Sequence, residues 1–103
     1  MNKEEKDYLD YELETPVTFE KTTITRVDMT KLRDMTLDEL SEVYDAYEAM
    51  GGNGNVTLDV PLPFAKLIMQ RITGYPLRAL GKLSAREGIR LRARIYRFFY
   101  LSK

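Results

Sequence analysis

Two closely spaced helix stops in the second half of the chain limit the folds open to it. Gly74 followed by Pro76 ends one helix, because glycine readily adopts the left-handed conformation at a helix C-terminus and proline cannot continue the helix. Pro61 and Pro63 suit the first turn of that helix, where an amide is not needed. Gly81 is predicted to end the short helical segment that follows. The spacing predicts helical segments at residues 62–73, 76–80 and 84–101.

The last of these segments is an amphipathic helix with a row of arginines. Ser84 and Glu87 have the spacing of a capping box, in which a hydroxyl and a carboxylate satisfy free amides at the helix start. At about 100° per residue, four arginines fall within about 80° of one another. We name this set the arginine stripe: Arg86, Arg90, Arg94 and Arg97. The apolar side chains roughly opposite are predicted to enter the core, namely Leu91, Ile95, Phe98 and Phe99.

The arginine stripe has three interpretations. It can be a solvated face that pairs within the protein with an acidic helix, a docking surface for an acidic partner segment, or a nucleic-acid contact. A pI of about 6.3 and an acidic first half weigh against nucleic acid. We take Arg86, Arg90, Arg94 and Arg97 as the candidate partner-binding residues, with a small nucleic-acid-binding regulator as the alternative function.

The first part of the chain alternates in the manner of β-strands. Leu9, Tyr11 and Leu13 fall on one face, and the pattern is interrupted at Pro16, which donates no hydrogen bond. A second alternating segment, rich in threonine, runs to Met29. These features predict an antiparallel hairpin over residues 8–29 that packs on helices, preceded by a flexible tail at residues 1–7. The free edges of the hairpin are either covered or partner surfaces.

A capping box at Thr36 and Glu39 predicts a helix over residues 36–50, ended by Gly51 and Gly52. Its predicted inward side chains are Leu37, Leu40, Tyr44 and Tyr47, with Val43 and Met50 beside them. The opposite face is acidic, with Asp38, Glu42 and Asp45. The glycine-rich loop that follows lacks the Lys-Ser/Thr and helix start of a phosphate loop, and residues 56–60 alternate as a brief strand would.

Length and charge bound the organisation of the chain. Its 103 residues predict one domain, a single small α+β unit over residues 8–103 with a hairpin, about three α-helices and one short helical turn. Residues 1–48 hold 14 acidic and 6 basic side chains, whereas residues 49–103 hold 2 acidic and 10 basic ones. Such asymmetry predicts internal complementarity or two oppositely charged binding faces, and it allows copies to associate head to tail into a homo-oligomer.

The composition removes several kinds of chemistry. There is no histidine and no cysteine, so the commonest general base, thiolate metal sites and disulfides are excluded. Asp38, Glu42 and Asp45 are the best cation candidate, and a weak one. No apolar run approaches the ~20 residues of a membrane span, and no secretory signal is visible. We therefore predict a non-enzymatic protein without a cofactor or metal, and the absence of cysteine allows a reducing cytoplasm.

Several short motifs lie along this chain: Leu13 to Glu20, Thr23 to Thr25, Val27 to Met29, Ile72 to Pro76, Leu80, Leu83 to Glu87 and Ile95 to Phe99. Together, over about residues 9–100, they resemble the small tail assembly chaperones of Mu-like and related prophages. Two positions depart from the family pattern: Lys21 stands where a glycine is expected at the hairpin turn, and Glu87 stands where aspartate is usual.

The resemblance implies a non-catalytic protein that acts in the cytoplasm of the infected bacterial host. It implies a partner, the tape-measure protein, whose long hydrophobic helices such chaperones keep soluble, and help in recruiting tail-tube subunits. It also implies absence from the finished virion. No binding residue of the family transfers to a position here, so the arginine stripe stays a hypothesis drawn from this chain.

Overall fold

The computed structural model describes residues 7–52 and 60–101. An antiparallel hairpin of β1 (Asp10–Phe19) and β2 (Thr22–Asp28) is followed by a 3-10 helix, Thr30–Asp34. The helices in the described residues are α1 (Leu37–Ala49), α2 (Leu62–Thr73), α3 (Leu77–Leu80) and α4 (Ala85–Tyr96), which a π-helical turn extends over Arg97–Leu101. The predicted α+β class, a hairpin with helices and one short helical turn, is confirmed. The 3-10 helix was not predicted.

Parts of three predictions fall on residues 1–6 and 53–59, outside the described residues: the tail, the glycine-rich loop and the brief strand. Asp7, the last residue of the predicted tail, is described and is held in place. Its carboxylate accepts a hydrogen bond from the Arg33 guanidinium at 2.8 Å and from the Leu9 amide at 3.1 Å. These two contacts lower the pKa of Asp7, with Arg33 the larger cause. Asp7 therefore belongs with the folded residues that follow it.

The ladder of the hairpin breaks where the sequence contains Pro16. Glu12 pairs with Arg26, but the next pair along β1 joins Val17 to Ile24, so β1 carries extra residues between them. Proline has no amide to donate, and an unpaired residue on one strand bends it. Amides in this bulged part of β1 therefore need acceptors outside β2.

The core lies between the hairpin and the helices, and α2 contacts α1, α3, α4 and β2. The side chains excluded from solvent come from the hairpin and the residues beside it and from all four α-helices, and they include Leu9, Ile24, Val27, Met29, Val43, Ile68, Leu80, Leu91 and Ile95. Each fully buried side chain of this size contributes about 1.5–3 kcal/mol relative to exposure. Phe98 and Phe99 are only partly buried against the core.

The predicted end of α2 is confirmed in detail. Gly74 follows the helix with φ +82°, and its amide donates to the carbonyl of Gln70 at 2.9 Å. Only glycine takes this conformation without a steric cost. The chain then bends through Pro76 into α3, so that α4 can return across the hairpin and α2.

Two inward positions predicted for α1 are wrong. Leu37 is 78% exposed and Met50 is 56% exposed. The carboxylate of Glu42 in α1 is bonded to the guanidinium of Arg71, close to the end of α2. Because Leu37 lies more than a turn before Glu42, the first turn of α1 extends beyond this contact with α2, and the described residues leave its side chain exposed.

Candidate interaction surfaces

The arginine stripe of α4 lies largely against β1 and the residues before it. Arg90 Nη1 is 2.8 Å from Glu14 Oε2. The guanidinium carbon of Arg94 is 4.7 Å from the centre of the Tyr11 ring, a cation–π contact. Arg90 and Arg94 therefore attach the middle of α4 to the first half of β1.

The two ends of the stripe differ. The guanidinium carbon of Arg97 is 3.9 Å from the centre of the Tyr8 ring, so Arg97 also holds the start of the hairpin. Arg86 is exposed and has no ion pair or ring contact within the described residues. The predicted internal pairing therefore exists, but its partner is β1 rather than the acidic helix α1. Arg86 is the stripe's best-placed residue for reaching a partner.

Glu87 follows Arg86 in the first turn of α4, and its charged side chain is only 2% exposed. Its carboxylate accepts the amide of Glu14 at 2.9 Å and the amide of Thr15 at 3.3 Å. Both donors belong to the bulged part of β1, where β2 no longer supplies acceptors. Glu87 thus replaces the missing strand partner and joins α4 to β1.

The second predicted capping box is therefore half right. Ser84 caps α4, since its hydroxyl accepts the Glu87 amide at 3.2 Å, but the Glu87 carboxylate bonds to β1 instead of returning to Ser84. In α1 the box is complete, with Thr36 and Glu39 bonded in both directions. The same local pattern has two outcomes because only α4 crosses a strand with unpaired amides.

Burial by itself would raise the pKa of the Glu87 carboxyl, but the Glu14 amide in particular, with Tyr11 and Thr15, brings the pKa below its ordinary value. The Tyr11 phenol oxygen is buried and has no hydrogen bond of good geometry within the described residues. We therefore attribute the lowered pKa of Glu87 to the hydrogen bonds from the backbone amides of Glu14 and Thr15, because their distances and angles are those of hydrogen bonds. A buried carboxylate with such donors is stabilised as the anion.

This lowered pKa predicts an acid-sensitive fold. Because the folded pKa lies below the unfolded one, Glu87 contributes stability above about pH 4.3, and that contribution is lost as the pH falls through the folded pKa. We expect Glu87→Gln to be less stable than the wild type near pH 7, with the difference shrinking below about pH 4. Urea unfolding at a series of pH values measures both curves. A difference independent of pH would show that the carboxylate charge does not matter.

A second surface lies on the side of α2 away from α1. Apolar side chains of α2, of α3 and of the turn before α4 line a depression of about 180 Å³. Leu62 is 46% exposed there and Leu83 is half-buried, whereas Ala65, Met69 and Leu80 are buried core side chains that also line it. Gly88 of α4 and the ammonium-bearing Lys66 of α2 also line it. At about 100° per residue, these α2 positions lie opposite Leu67 and Arg71, which face α1.

This depression continues into a wider one of about 530 Å³, and both include Lys66 and Gly81 in their walls. Phe19, Met50 and Leu77 supply its apolar part. Three cations border the pair of depressions: Lys66, Arg78 and Lys82. Within the described residues, no acidic side chain lines either one. We call the two together the helical groove.

Sequence reasoning missed the helical groove. Leu62, Lys66 and Met69 have the spacing of one helix face, but the sequence predicted only a helix over residues 62–73 and gave this face no binding role. The spacing within a helix does not show which of its faces a distant helix leaves uncovered.

Two other predicted features have structural outcomes. Asp38, Glu42 and Asp45 do not form a metal site: within the described ranges, no group of three or more acidic side chains is arranged to hold an ion. In the same part of the chain, no helix is both long and apolar enough to cross a membrane.

Comparisons with protein families, curated proteins and solved structures find no match to this chain.

Proposed function

We propose that this protein is a phage or prophage tail assembly chaperone that binds the tape-measure protein and assists assembly of the tail tube. It acts in the cytoplasm of the bacterial host, without catalysis, and is absent from the mature virion. The sequence motifs between residues 9 and 100 support the family, and they include the turn at Gly74 and Pro76 that positions α3 and α4.

The observation that carries the proposal is the helical groove. It combines apolar side chains that stay partly exposed, such as Leu62 and Met50, with a border of cations, and within the described residues no further side chain fills it. A surface of this kind buries apolar area only when another molecule enters it. That is what a chaperone of long hydrophobic helices requires, because those helices must be shielded from water until they are assembled.

The arginine stripe supports the alternative, a nucleic-acid-binding regulator, less well. Arg90, Arg94 and Arg97 are engaged with β1 and the residues before it, and a side chain held in that way is poorly placed to follow a phosphate backbone. Only Arg86 of the four is exposed without such a contact. Micromolar DNA binding with a steep dependence on salt would be needed to favour that function.

The proposal predicts co-purification with the tape-measure protein. We expect a tape-measure protein encoded in the same tail gene cluster to be insoluble when expressed alone, and to be soluble and retained with this protein when the two are co-expressed. An unrelated soluble protein of similar size in place of this one is the control. Failure to retain or solubilise the tape-measure protein contradicts the proposal, as does a gene that lies outside any tail cluster.

A further inference from the structure

We propose that the helical groove binds an amphipathic α-helix of the partner whose apolar face is flanked by carboxylates. The inference rests on the proposed function for the partner's identity, the tape-measure protein, but the chemistry of the bound segment follows from the groove itself. None of the four residues of the arginine stripe lines the helical groove.

The charge of the groove selects an acidic segment. Lys66, Arg78 and Lys82 border it, and none of them has an ion pair within the described residues. Lys82 makes only a long cation–π contact, with its Nζ atom 5.7 Å from the centre of the Phe19 ring. Three cations around an apolar lining, none of them in an ion pair with a described residue, gain most from carboxylates at the edge of a bound apolar face.

The walls of the groove select a helix rather than a strand. Most residues of the narrower depression lie on α2, α3 and α4, with Gly81, Leu83 and Ser84 in the turn before α4, and amides and carbonyls within helices are already bonded to one another. An extended segment bound there would bury its own backbone groups without partners, which costs free energy at each group. A helix brings its backbone hydrogen bonds with it.

Gly88 shows that the groove is open where a side chain could have closed it. A Cβ atom added at Gly88 would meet nothing within 4 Å, and the residue lies within the regular helix α4. Glycine in a helix interior is less stable than alanine by about 0.5–1 kcal/mol, so nothing in this chain's own packing favours it. The absence of a side chain instead leaves room for the backbone of a second helix to approach α4.

The same position supplies a sharp test. Gly88→Leu should block the groove while the protein stays folded, since the new side chain enters open space and leucine favours helix. Ala93→Leu is the matched control: it adds apolar bulk at an exposed position of the same helix that does not line the groove. Both variants should unfold at the wild-type temperature or above it. Lys66→Glu/Lys82→Glu tests the charge independently of shape.

The probe is a labelled synthetic helical peptide of about 18 residues, five turns, with alanine and leucine on one face and glutamate flanking it. A second peptide has lysine at each glutamate position. By fluorescence anisotropy we expect the glutamate peptide to bind the full-length protein more tightly than the lysine peptide, with affinity falling as salt rises. Gly88→Leu and Lys66→Glu/Lys82→Glu should each weaken it by about tenfold or more, and Ala93→Leu should not.

Three results would overturn the inference. The first is equal binding of the two peptides, and the second is peptide binding that Gly88→Leu does not change. The third is binding of the protein to phosphatidylglycerol vesicles, abolished by the same variants, without any binding of the peptide. Failure of the proposed function is distinguishable. If Gly88→Leu and Lys66→Glu/Lys82→Glu weaken binding of the glutamate peptide as expected, but the tape-measure protein is not retained, the groove inference stands and the chaperone proposal falls. If the tape-measure protein is retained equally by wild type and Gly88→Leu, the chaperone stands and the groove inference falls.

Discussion

Glu87→Ala should lower the free energy of unfolding by about 2–3 kcal/mol at neutral pH, a large fraction of the stability of a small domain. The substitution removes the acceptor for two β1 amides, those of Glu14 and Thr15, at a place where the neighbouring strand offers none. It also leaves a cavity, because the Glu87 side chain is only 2% exposed. Urea unfolding followed by circular dichroism gives the difference.

Glu39→Ala is the matched control for this prediction. Glu39 occupies the same third position of a capped helix, but its carboxylate bonds to the amide of Thr36 at 2.9 Å, near solvent. Water can replace that bond, so the expected loss is about 1 kcal/mol or less. Equal losses at the two positions would mean that Glu87 acts only as a helix cap and does not hold β1.

This comparison also shows which parts of the fold a sequence can predict. The helix starts at Thr36 and Ser84 and the stop at Gly74 depend on residues within one turn of each other, and all three were predicted correctly. The Glu87 carboxylate instead bonds to an amide 73 positions away along the chain. Its role depends on where a bulged strand happens to cross α4, which no local spacing encodes.

The hairpin turn gives a smaller example of the same limit. The family resemblance led us to expect glycine at the position of Lys21, but the residue with a positive φ, +55°, is Glu20. A non-glycine residue can occupy the left-handed region at a modest energetic cost, and the strands on either side, which pair at Phe19 and Thr22, hold it there. The sequence located the turn correctly but not the residue that makes it.

The arginine stripe illustrates how a correct helical pattern can leave its role open. The spacing of Arg86, Arg90, Arg94 and Arg97 placed them on one face of α4, opposite Leu91 and Ile95, which are fully buried. What that face meets depends on tertiary structure. Because Tyr8, Tyr11 and Glu14 lie across it, most of the stripe contributes to holding the hairpin.

Reversing the charge at Arg90 and Arg94 should therefore destabilise the hairpin. We expect Arg90→Glu/Arg94→Glu to unfold at a lower urea concentration than the wild type, because it loses the Glu14 ion pair and the cation–π contact with Tyr11 and places carboxylates near one another. Hydrogen exchange should show faster exchange at the amides of β1, with the centre of α2 retaining more of its protection. Unchanged stability would mean that these arginines do not secure β1.

Arg86→Glu is the control that separates structure from binding. Arg86 is exposed and has no ion pair within the described residues, so its reversal should change stability by no more than about 0.5 kcal/mol. Loss of tape-measure protein in Arg90→Glu/Arg94→Glu alone would then reflect a loosened hairpin. Loss in Arg86→Glu, with the fold intact by circular dichroism, would identify the exposed end of the stripe as a second contact beside the helical groove. Retention of the tape-measure protein by Arg86→Glu would leave the stripe with a structural role only.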